Sequence, residues 1–577
     1  MKELIAKYKY KILLVCILIT ISAMCMLYQP TIMANIINAL NEVDELGNVS
    51  PDQATINSNG LILVLLGFAN LIAGVSAAVI AAIVAQHLGA DIRKQGFKKI
   101  QNFGFEDIES FKASSLVVRL TNDVTQIQNF LAMGLTLIAR VPVMFIGGFI
   151  LSIYSFHQLW WVVLIFIVVV IIIVAVAFSS MRKYFMKMQK DLDGVNSILK
   201  ENMLGVRVVK SFVQEEKEDK RFKNKVNDLT DNYLITATIF SAVIPLFMFT
   251  ANILTALAVY LTGYLAIDDL TLVGSLVSFI SYLMIIMFAI ILAGMFVMTL
   301  SRASVSFKRL NEIFKRETSI SYGKKDFKTI ESIEFKNVDF LYPDSEENDD
   351  LDGVLKDVSF KINKGEKIGV VGLTGSGKST LVNLIPRLYN PTRGHIFLNG
   401  EDISSYKQKP LREEISYVLQ KPVLFAGTIK QNITNGKKAD EKTLIKASKA
   451  AQAYEFIKKK DKQFNSEVLQ KGNNFSGGQK QRISIARGLY QNPELLILDD
   501  STSALDARSE RLVKEAIYKL KDITLIMVAQ KISSVVDCDR IIVLDEGKID
   551  AIGTHNELVQ KSKVYKQIYK TQKGKED

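Results

Sequence analysis

Eight consecutive residues, Gly372-Leu373-Thr374-Gly375-Ser376-Gly377-Lys378-Ser379, have the types and spacing needed to hold a polyphosphate. The glycines let backbone N–H groups face phosphate oxygens, and a helix starting at Lys378 adds its N-terminal field. Lys378 would reach the β- and γ-phosphates, Ser379 would offer its hydroxyl to Mg²⁺, and Thr380 continues the cradle into the helix. Further along, four apolar residues, Leu495-Leu496-Ile497-Leu498, run into Asp499 and Asp500. An acid at the end of such a run is placed to hold the magnesium that accompanies a nucleotide, which makes Asp499 a metal residue beside Ser379. Asp500 stands where a carboxylate would polarise the attacking water. Gln530, just after the next apolar run, stands where the γ-phosphate would be sensed. The chemistry implied is tight ATP binding with weak hydrolysis at the chain's own site.

A second glycine-bearing element, Phe475-Ser476-Gly477-Gly478-Gln479, precedes a helical stretch that begins near Lys480. Ser476, Gly477, Gly478 and Gln479 would form another anion-binding helix start. One nucleotide needs one cradle, so this second element is expected to act in trans, on a neighbour's nucleotide.

These residues need a scaffold. From about residue 331 short apolar runs alternate with helical stretches: 367–371, 415–418, 495–498, 524–528 and 541–544. That alternation predicts a mostly parallel α/β sheet with ligand at its carboxyl edge. The acidic run 344–350 is expected to be a solvated loop.

The first half is different. The chain has 577 residues, 49% of them hydrophobic, and mean hydropathy is +0.19 with 23% charged residues. The two figures are compatible because the charges are segregated. No Asp, Glu, Lys or Arg occurs in 12–41, 53–90, 141–181, 232–267 or 270–301. Spanning a bilayer takes about 20 mostly apolar residues, so the third run, with Arg140 and a few residues before it, is long enough for two spans, joined by the aromatic turn 154–161. The prediction is an all-α polytopic membrane domain of six transmembrane helices over 1–318, a linker over 319–330, and an α/β phosphate-loop domain over 331–577. The N-terminal apolar run lacks a small-residue cleavage site and is expected to be a retained first span.

Net charge is +12. Loops 42–60, 154–161 and 265–272 lack Lys and Arg but carry Glu42, Asp44, Glu45, Asp52, Asp268 and Asp269, whereas 91–119 and 182–225 are rich in both basic types. Positive residues favour the cytoplasmic side. Both termini and the phosphate-loop domain are therefore expected in the cytoplasm of a multi-pass cell-membrane protein, and topology explains the basic balance without nucleic acid. Cys16, Cys25 and Cys538 form no metal or disulfide pattern.

The cytoplasmic excursions, about 87–131 and 182–234, are too long for turns, so the spans are expected to continue as helical extensions that turn near 104–111 and 201–207. Each tip is either a docking element or a solvated loop. Arg140, near the cytoplasmic start of the third span, is expected to snorkel. Phe240, Phe247, Phe249, Tyr282, Phe288 and Phe296 either line a greasy cavity or pack among helices.

Taken together, the C-terminal half resembles an ATP-binding-cassette (ABC) domain, with 475–482, FSGGQKQR, similar to that family's signature. The resemblance covers essentially the whole chain and is to half-size ABC exporters of the multidrug or lipid type. Residues 115–155 and 201–212 look especially similar to bacterial heterodimeric multidrug exporters. It implies that Tyr342 stacks on adenine, that Gln420 contacts Mg²⁺ and serves the coupling helices, and that Ser503-Ala504-Leu505-Asp506 lies at a cassette interface. Active members carry Glu where Asp500 stands and His where Gln530 stands. Gln470 likewise replaces an acid expected in 467–472. General-base help is worth about 10²–10⁴-fold, so the resemblance implies one half of a heterodimer. The chain's own ATP site would be degenerate, and its signature would complete a partner's competent site. Expected partners are a second half-transporter, membrane lipid and a small amphipathic cargo. A homodimer with two slow sites, a lipid flippase or peptide exporter, and a nucleotide-gated channel or regulatory scaffold remain alternatives.

Overall fold

The computed structural model describes residues 2–42, 50–265, 271–327, 329–342, 354–520 and 523–573. The acidic run 344–350 and the loop acids Asp44, Glu45, Asp268 and Asp269 lie outside the described residues. The chain forms two compact units, one of 1–98 and 117–315, the other of 99–116 and 316–577.

The first unit contains six helices long and apolar enough to cross a membrane: Lys9–Leu40, Gln53–Gln101, Ala113–Ser155, His157–Leu204, Glu215–Leu265 and Leu272–Lys315. They run far beyond the roughly 20 residues a bilayer requires, which is the expected helical extension. Phe166, Val170, Phe247, Leu254, Phe279 and Leu283 form one core between spans four, five and six. Tyr282 is also buried, its hydroxyl shared with Thr31 at 2.6 Å and donated to Leu27 O at 3.0 Å. Two of the six aromatics are thus packing residues, while Phe240, Phe249 and Phe288 remain exposed. The third span widens into a single π turn at Arg119–Asp123. There Arg93 Nε donates to Leu120 O at 3.2 Å, supplying a partner for a carbonyl at the irregular turn.

The second unit is built on two sheets. Its strands are β1 (Ser332–Phe340), β2 (Leu355–Asn363), β3 (Lys367–Gly372), β4 (Arg393–Leu398), β5 (Glu401–Asp402), β6 (Ile415–Val418), β7 (Gly427–Thr428), β8 (Glu467–Val468), β9 (Leu495–Asp499), β10 (Thr524–Val528), β11 (Arg540–Asp545) and β12 (Lys548–Gly553). The six-stranded sheet has the order β12-β11-β3-β10-β9-β6, and all but the edge strand β12 run parallel. β9 and β10 are buried on both faces, as a covered parallel sheet requires. Leu495, Ile497, Ile526 and Val528 enter one core, and Leu496, Leu498, Leu525 and Met527 enter the other. A four-stranded antiparallel sheet, β2-β1-β4-β5, which the mostly parallel expectation omitted, shares the first core. Its strands alternate buried and exposed residues, the signature of a half-covered sheet.

The tip of the first excursion, Phe105–Phe111, folds into this second unit. Asp107 is fully buried. It accepts from Gly104 N at 3.1 Å, Arg316 Nε at 2.8 Å, Ser319 N at 2.9 Å and Ser319 Oγ at 3.0 Å. Glu109 accepts from Tyr389 OH at 2.8 Å, and Phe105 meets the Tyr389 ring. This tip is a docking element. The second tip, Val206–Ser211, buries no residue, and Met203, Leu204, Val208 and Phe212 are exposed around it.

Candidate functional site

Strand order decides which residues meet. β3 and β9 flank β10, and the register pairs Val528 with both Val370 and Asp499. The phosphate loop leaving β3, the acids ending β9 and Gln530 following β10 therefore emerge side by side at the carboxyl edge. Gln420 arrives from β6, the other neighbour of β9.

Within the loop, Gly375 and Gly377 adopt φ +87° and +93°, conformations an L side chain resists. A Cβ on Gly377 would also meet Val354 O at 2.8 Å. The helix Lys378–Leu384 starts immediately afterwards. Lys378 is buried, and its amine donates to Gly372 O at 2.9 Å and Leu373 O at 2.6 Å. Burial lowers its pKa, and the charges of Asp500 and Asp499 oppose that shift.

Ser379 Oγ donates to Asp499 Oδ1 at 2.9 Å. Asp499 Oδ2 accepts from Tyr417 OH at 3.0 Å, and the Tyr417 hydroxyl is also 2.8 Å from Asn383 Oδ1. Burial raises the Asp499 carboxyl above its ordinary range, with the Ser379 and Tyr417 hydrogen bonds pulling the other way. A hydroxyl and a carboxylate in contact are hard oxygen donors, the set that Mg²⁺ takes together with nucleotide phosphates. No larger cluster of His, Cys, Asp and Glu suited to a metal occurs among the described residues. The donor set fits magnesium arriving with its nucleotide, with Gln420 the third expected ligand nearby.

Asp500 has left-handed backbone, φ +45°, and its N–H donates to Val528 O at 2.9 Å. Its Oδ2 accepts from Gln420 Nε2 at 3.0 Å and Gln530 Nε2 at 3.2 Å. Burial raises its pKa, opposed by Gln420 and Lys378. Asp500, Gln420 and Gln530, expected from the sequence to act on the γ-phosphate end of the nucleotide, thus form one contact group. A cleft of about 610 Å³ opens beside it, lined by Gly372, Thr374, Gln530, Lys531, Gln567 and Gln572.

Tyr342 follows β1. Its hydroxyl lies 3.2 Å from the buried Thr380 Oγ1, and its ring packs edge-on against Phe340 and Tyr389. The phenol is thus fixed at the phosphate-loop helix.

The second cradle lies at the start of the 14-residue helix Gly477–Tyr490. Ser476 caps it, accepting from Gln479 N at 3.4 Å, while Gln479 Oε1 accepts from Ser476 N at 3.1 Å. Nothing lies within 4 Å of a Cβ built on Gly477, so the helix start faces open space. The intervening turn joins Asp500 to the helix that follows the second cradle. Ser503 Oγ donates to Asp500 O at 2.9 Å, and Ala504 N donates to Gln481 Oε1 at 3.1 Å.

Two residues escaped the sequence reading. Tyr417 carried no signal beyond its position in an apolar run. Gln572 donates to Gln530 O at 2.8 Å and accepts from Ile532 N at 2.9 Å, and nothing in its basic C-terminal stretch marks it.

Comparison with known proteins gives family matches in both halves of the chain. The ABC transporter transmembrane region matches residues 12–290 and the ABC transporter domain matches 355–503. An uncharacterised ABC transporter ATP-binding protein of Bacillus subtilis, YfiB, is 35% identical over 95% of this chain and 94% of its own length. A putative multidrug export ATP-binding/permease protein of the same organism, YgaD, is 32% identical over 84% of this chain and 83% of its own. The fold resembles a bacterial Atm1-family ABC exporter with ATP bound, at TM-score 0.80 and 22% identity, covering 98% of this chain and 99% of that one. With six membrane-length helices ahead of an ATP-binding cassette, the chain belongs to the ABC transporter family.

Proposed function

We propose that the chain is the degenerate-site subunit of a heterodimeric exporter for amphipathic or hydrophobic compounds. The observation that carries this reading is the environment of Asp500. The carboxylate at the water-polarising position is one methylene shorter than Glu, and one of its oxygens is held by two glutamine amides. Gln530 cannot become cationic, so it can donate to a phosphate but cannot add charge to it. This site would bind ATP and hydrolyse it slowly.

In the proposed complex each nucleotide lies between one chain's phosphate loop and the other chain's signature. Here Gly372, Thr374, Gly375, Ser376, Gly377, Lys378, Ser379 and Thr380 hold one ATP, with Tyr342 against its adenine. Ser379, Asp499 and Gln420 hold its magnesium, which neutralises phosphate charge when bound. Ser476, Gly477, Gly478 and Gln479 complete the partner's site, where hydrolysis occurs. The Asp500–Ser503 and Ala504–Gln481 hydrogen bonds give the two sites a short covalent and hydrogen-bonded connection. ATP-driven closure would favour the outward-facing state through its differential affinity for the two states, and hydrolysis at the partner's site would reset it. Both termini and the cassette would lie in the cytoplasm of the cell membrane, following the charge asymmetry of the loops.

The reading is tested by affinity purification from native membranes, with co-purifying chains identified by mass spectrometry. A second half-transporter with Glu and His at the two matching positions supports it. Recovery of this chain alone contradicts it.

A further inference from the structure

Arg140 is distinguished by its depth. It precedes Ser155, the outer end of the third span, by about 15 residues, or about 22 Å of helix. In the other five spans the first Asp, Glu, Lys or Arg inward from the outer end lies about 25 or more residues away, or at least about 37 Å. The hydrocarbon core is about 30 Å thick, so Arg140 is the one formal charge placed within it among the described spans. Its Nε is buried with no hydrogen-bond partner among the described residues, and no acid stands at its depth in any span. A cation in this position is costly without an anion and ordinarily marks a functional path. Snorkelling, the expectation from sequence, leaves that Nε without a partner.

A second observation lies on the same helix. An apolar cavity of about 470 Å³ between the first three spans is lined by residues that include Met24, Leu27, Tyr28, Leu66, Gly147 and Ile150. Gly147 is two helical turns outward of Arg140, on the same helix face. Absence of a side chain at Gly147 sustains the close approach there, since a Cβ would strike Leu27. In the proposed topology helical side chains lean toward their N-terminus, so Arg140 reaches toward the cytoplasmic leaflet while the cavity lies deeper.

We propose that spans one to three form a site for an anionic amphiphile, its alkyl chain in the apolar cavity and its phosphate or carboxylate head paired with Arg140. The polarity of the site matches a molecule of the inner leaflet, whose head faces the cytoplasm and whose chain points toward the bilayer centre. A guanidinium suits such a head because its fork pairs bidentately with either oxyanion. This rests on the exporter reading and narrows its cargo, or a lipid cofactor of the cargo path, to anionic amphiphiles.

The test is equilibrium binding of radiolabelled hexadecyl phosphate to the full-length protein in non-ionic detergent, purified with any partner it retains. Hexadecanol and inorganic phosphate serve as competitors, and thermal unfolding confirms that each variant is folded. Arg140→Gln is expected to weaken binding at least about tenfold, the scale of a lost hydrogen bond to a charged group. Arg140→Lys, which keeps the charge but loses the bidentate fork, should bind more weakly than wild type and more tightly than Arg140→Gln. Ile150→Trp, at an exposed wall position where bulk is tolerated, should weaken binding by filling the cavity. Unchanged binding in folded Arg140→Gln overturns the proposal, as does displacement by inorganic phosphate alone, which would reveal a simple anion site. The assay needs no ATP turnover. Loss of ATP-driven transport with Arg140-dependent binding intact would therefore count against the exporter reading and leave this site standing.

Discussion

The amide of Gln530 donates to the carboxylate of Asp500, Nε2 to Oδ2 at 3.2 Å, across the end of the strand pair β10–β9. The same oxygen receives Gln420 at 3.0 Å. Two glutamines that follow two different strands thus share one acceptor atom on the residue that follows a third, and the Asp500 carboxylate is engaged on its own protein. A Glu would project further from the same left-handed backbone, and a His at 530 would offer a titratable ring in place of the amide.

Nucleotide binding should survive at this site and depend on Lys378 and Asp499. Lys378→Ala is expected to weaken ATP affinity at least about tenfold, since it removes charged hydrogen bonds. Asp499→Asn should leave magnesium-free ATP binding close to wild type and abolish most of its enhancement by magnesium. The carboxyl is held above its ordinary pKa by burial, and magnesium requires the ionised form, so protons compete with the metal. Enhancement by magnesium should therefore shrink as pH falls toward the raised folded value, at higher pH than for an exposed Asp of about 3.9. Titration calorimetry across pH with and without magnesium reads each of these.

Asp107 ties the first excursion to the linker after the membrane unit. Burial alone would raise its pKa, yet hydrogen bonds from Ser319, Arg316 and Gly104 outweigh burial and lower it. A carboxyl depressed in the folded state stabilises the fold above its unfolded value of about 3.9. That stability is lost as pH falls through the folded value. Asp107→Ala should cost roughly 1–3 kcal/mol in local stability, because four donors lose their acceptor. Hydrogen exchange over 99–116 and 316–320 should quicken in the variant, and the difference from wild type should disappear in strong acid.

Gly477 separates folding from trans action. No heavy atom lies within 4 Å of its would-be Cβ, so Gly477→Asp should fold with an unchanged melting temperature. A carboxylate at this helix start would repel a neighbour's nucleotide phosphates. ATP binding to this chain's own loop should persist while ATPase activity of the assembled transporter falls by at least about tenfold. Equal losses of both would contradict action in trans.

Gln572 clamps the segment after β10 through two backbone hydrogen bonds, on either side of Lys531. Gln572→Ala should loosen Gln530 and Ile532 without unfolding the cassette, at a cost of roughly 1 kcal/mol. Faster amide exchange confined to 529–533 and the C-terminal helix is the expected signature, and Gln572→Glu should rescue only the bond that its carboxylate can accept, from Ile532 N.

What the sequence disclosed follows from how local each signal is. The phosphate loop, the acids after β9 and the six spans are contiguous patterns, and the structure places them as those patterns demand. The antiparallel sheet was missed because β1 and β2 carry charged residues between their apolar ones and are not continuous apolar runs, and β5 has only two residues, Glu401 and Asp402. Tyr417 meets Asn383 and Asp499 only because β6 lies beside β9, and Gln572 meets Gln530 across 42 residues of chain. Such contacts depend on strand order and helix return, which no short spacing encodes. The docking of Asp107 is of the same kind. An acid in a polar tip looks solvated until Arg316 and Ser319, more than 200 residues away, are brought to it.

The most direct measurement is steady-state ATPase activity of the purified, reconstituted chain alone, compared with its Asp500→Glu, Gln530→His double variant. With signature and phosphate loop intact, restoring the longer carboxylate and the imidazole should raise turnover by about 10²-fold or more. Equal rates, or a fast wild-type chain that the double substitution slows, would contradict the account that this ATP site is held and weak.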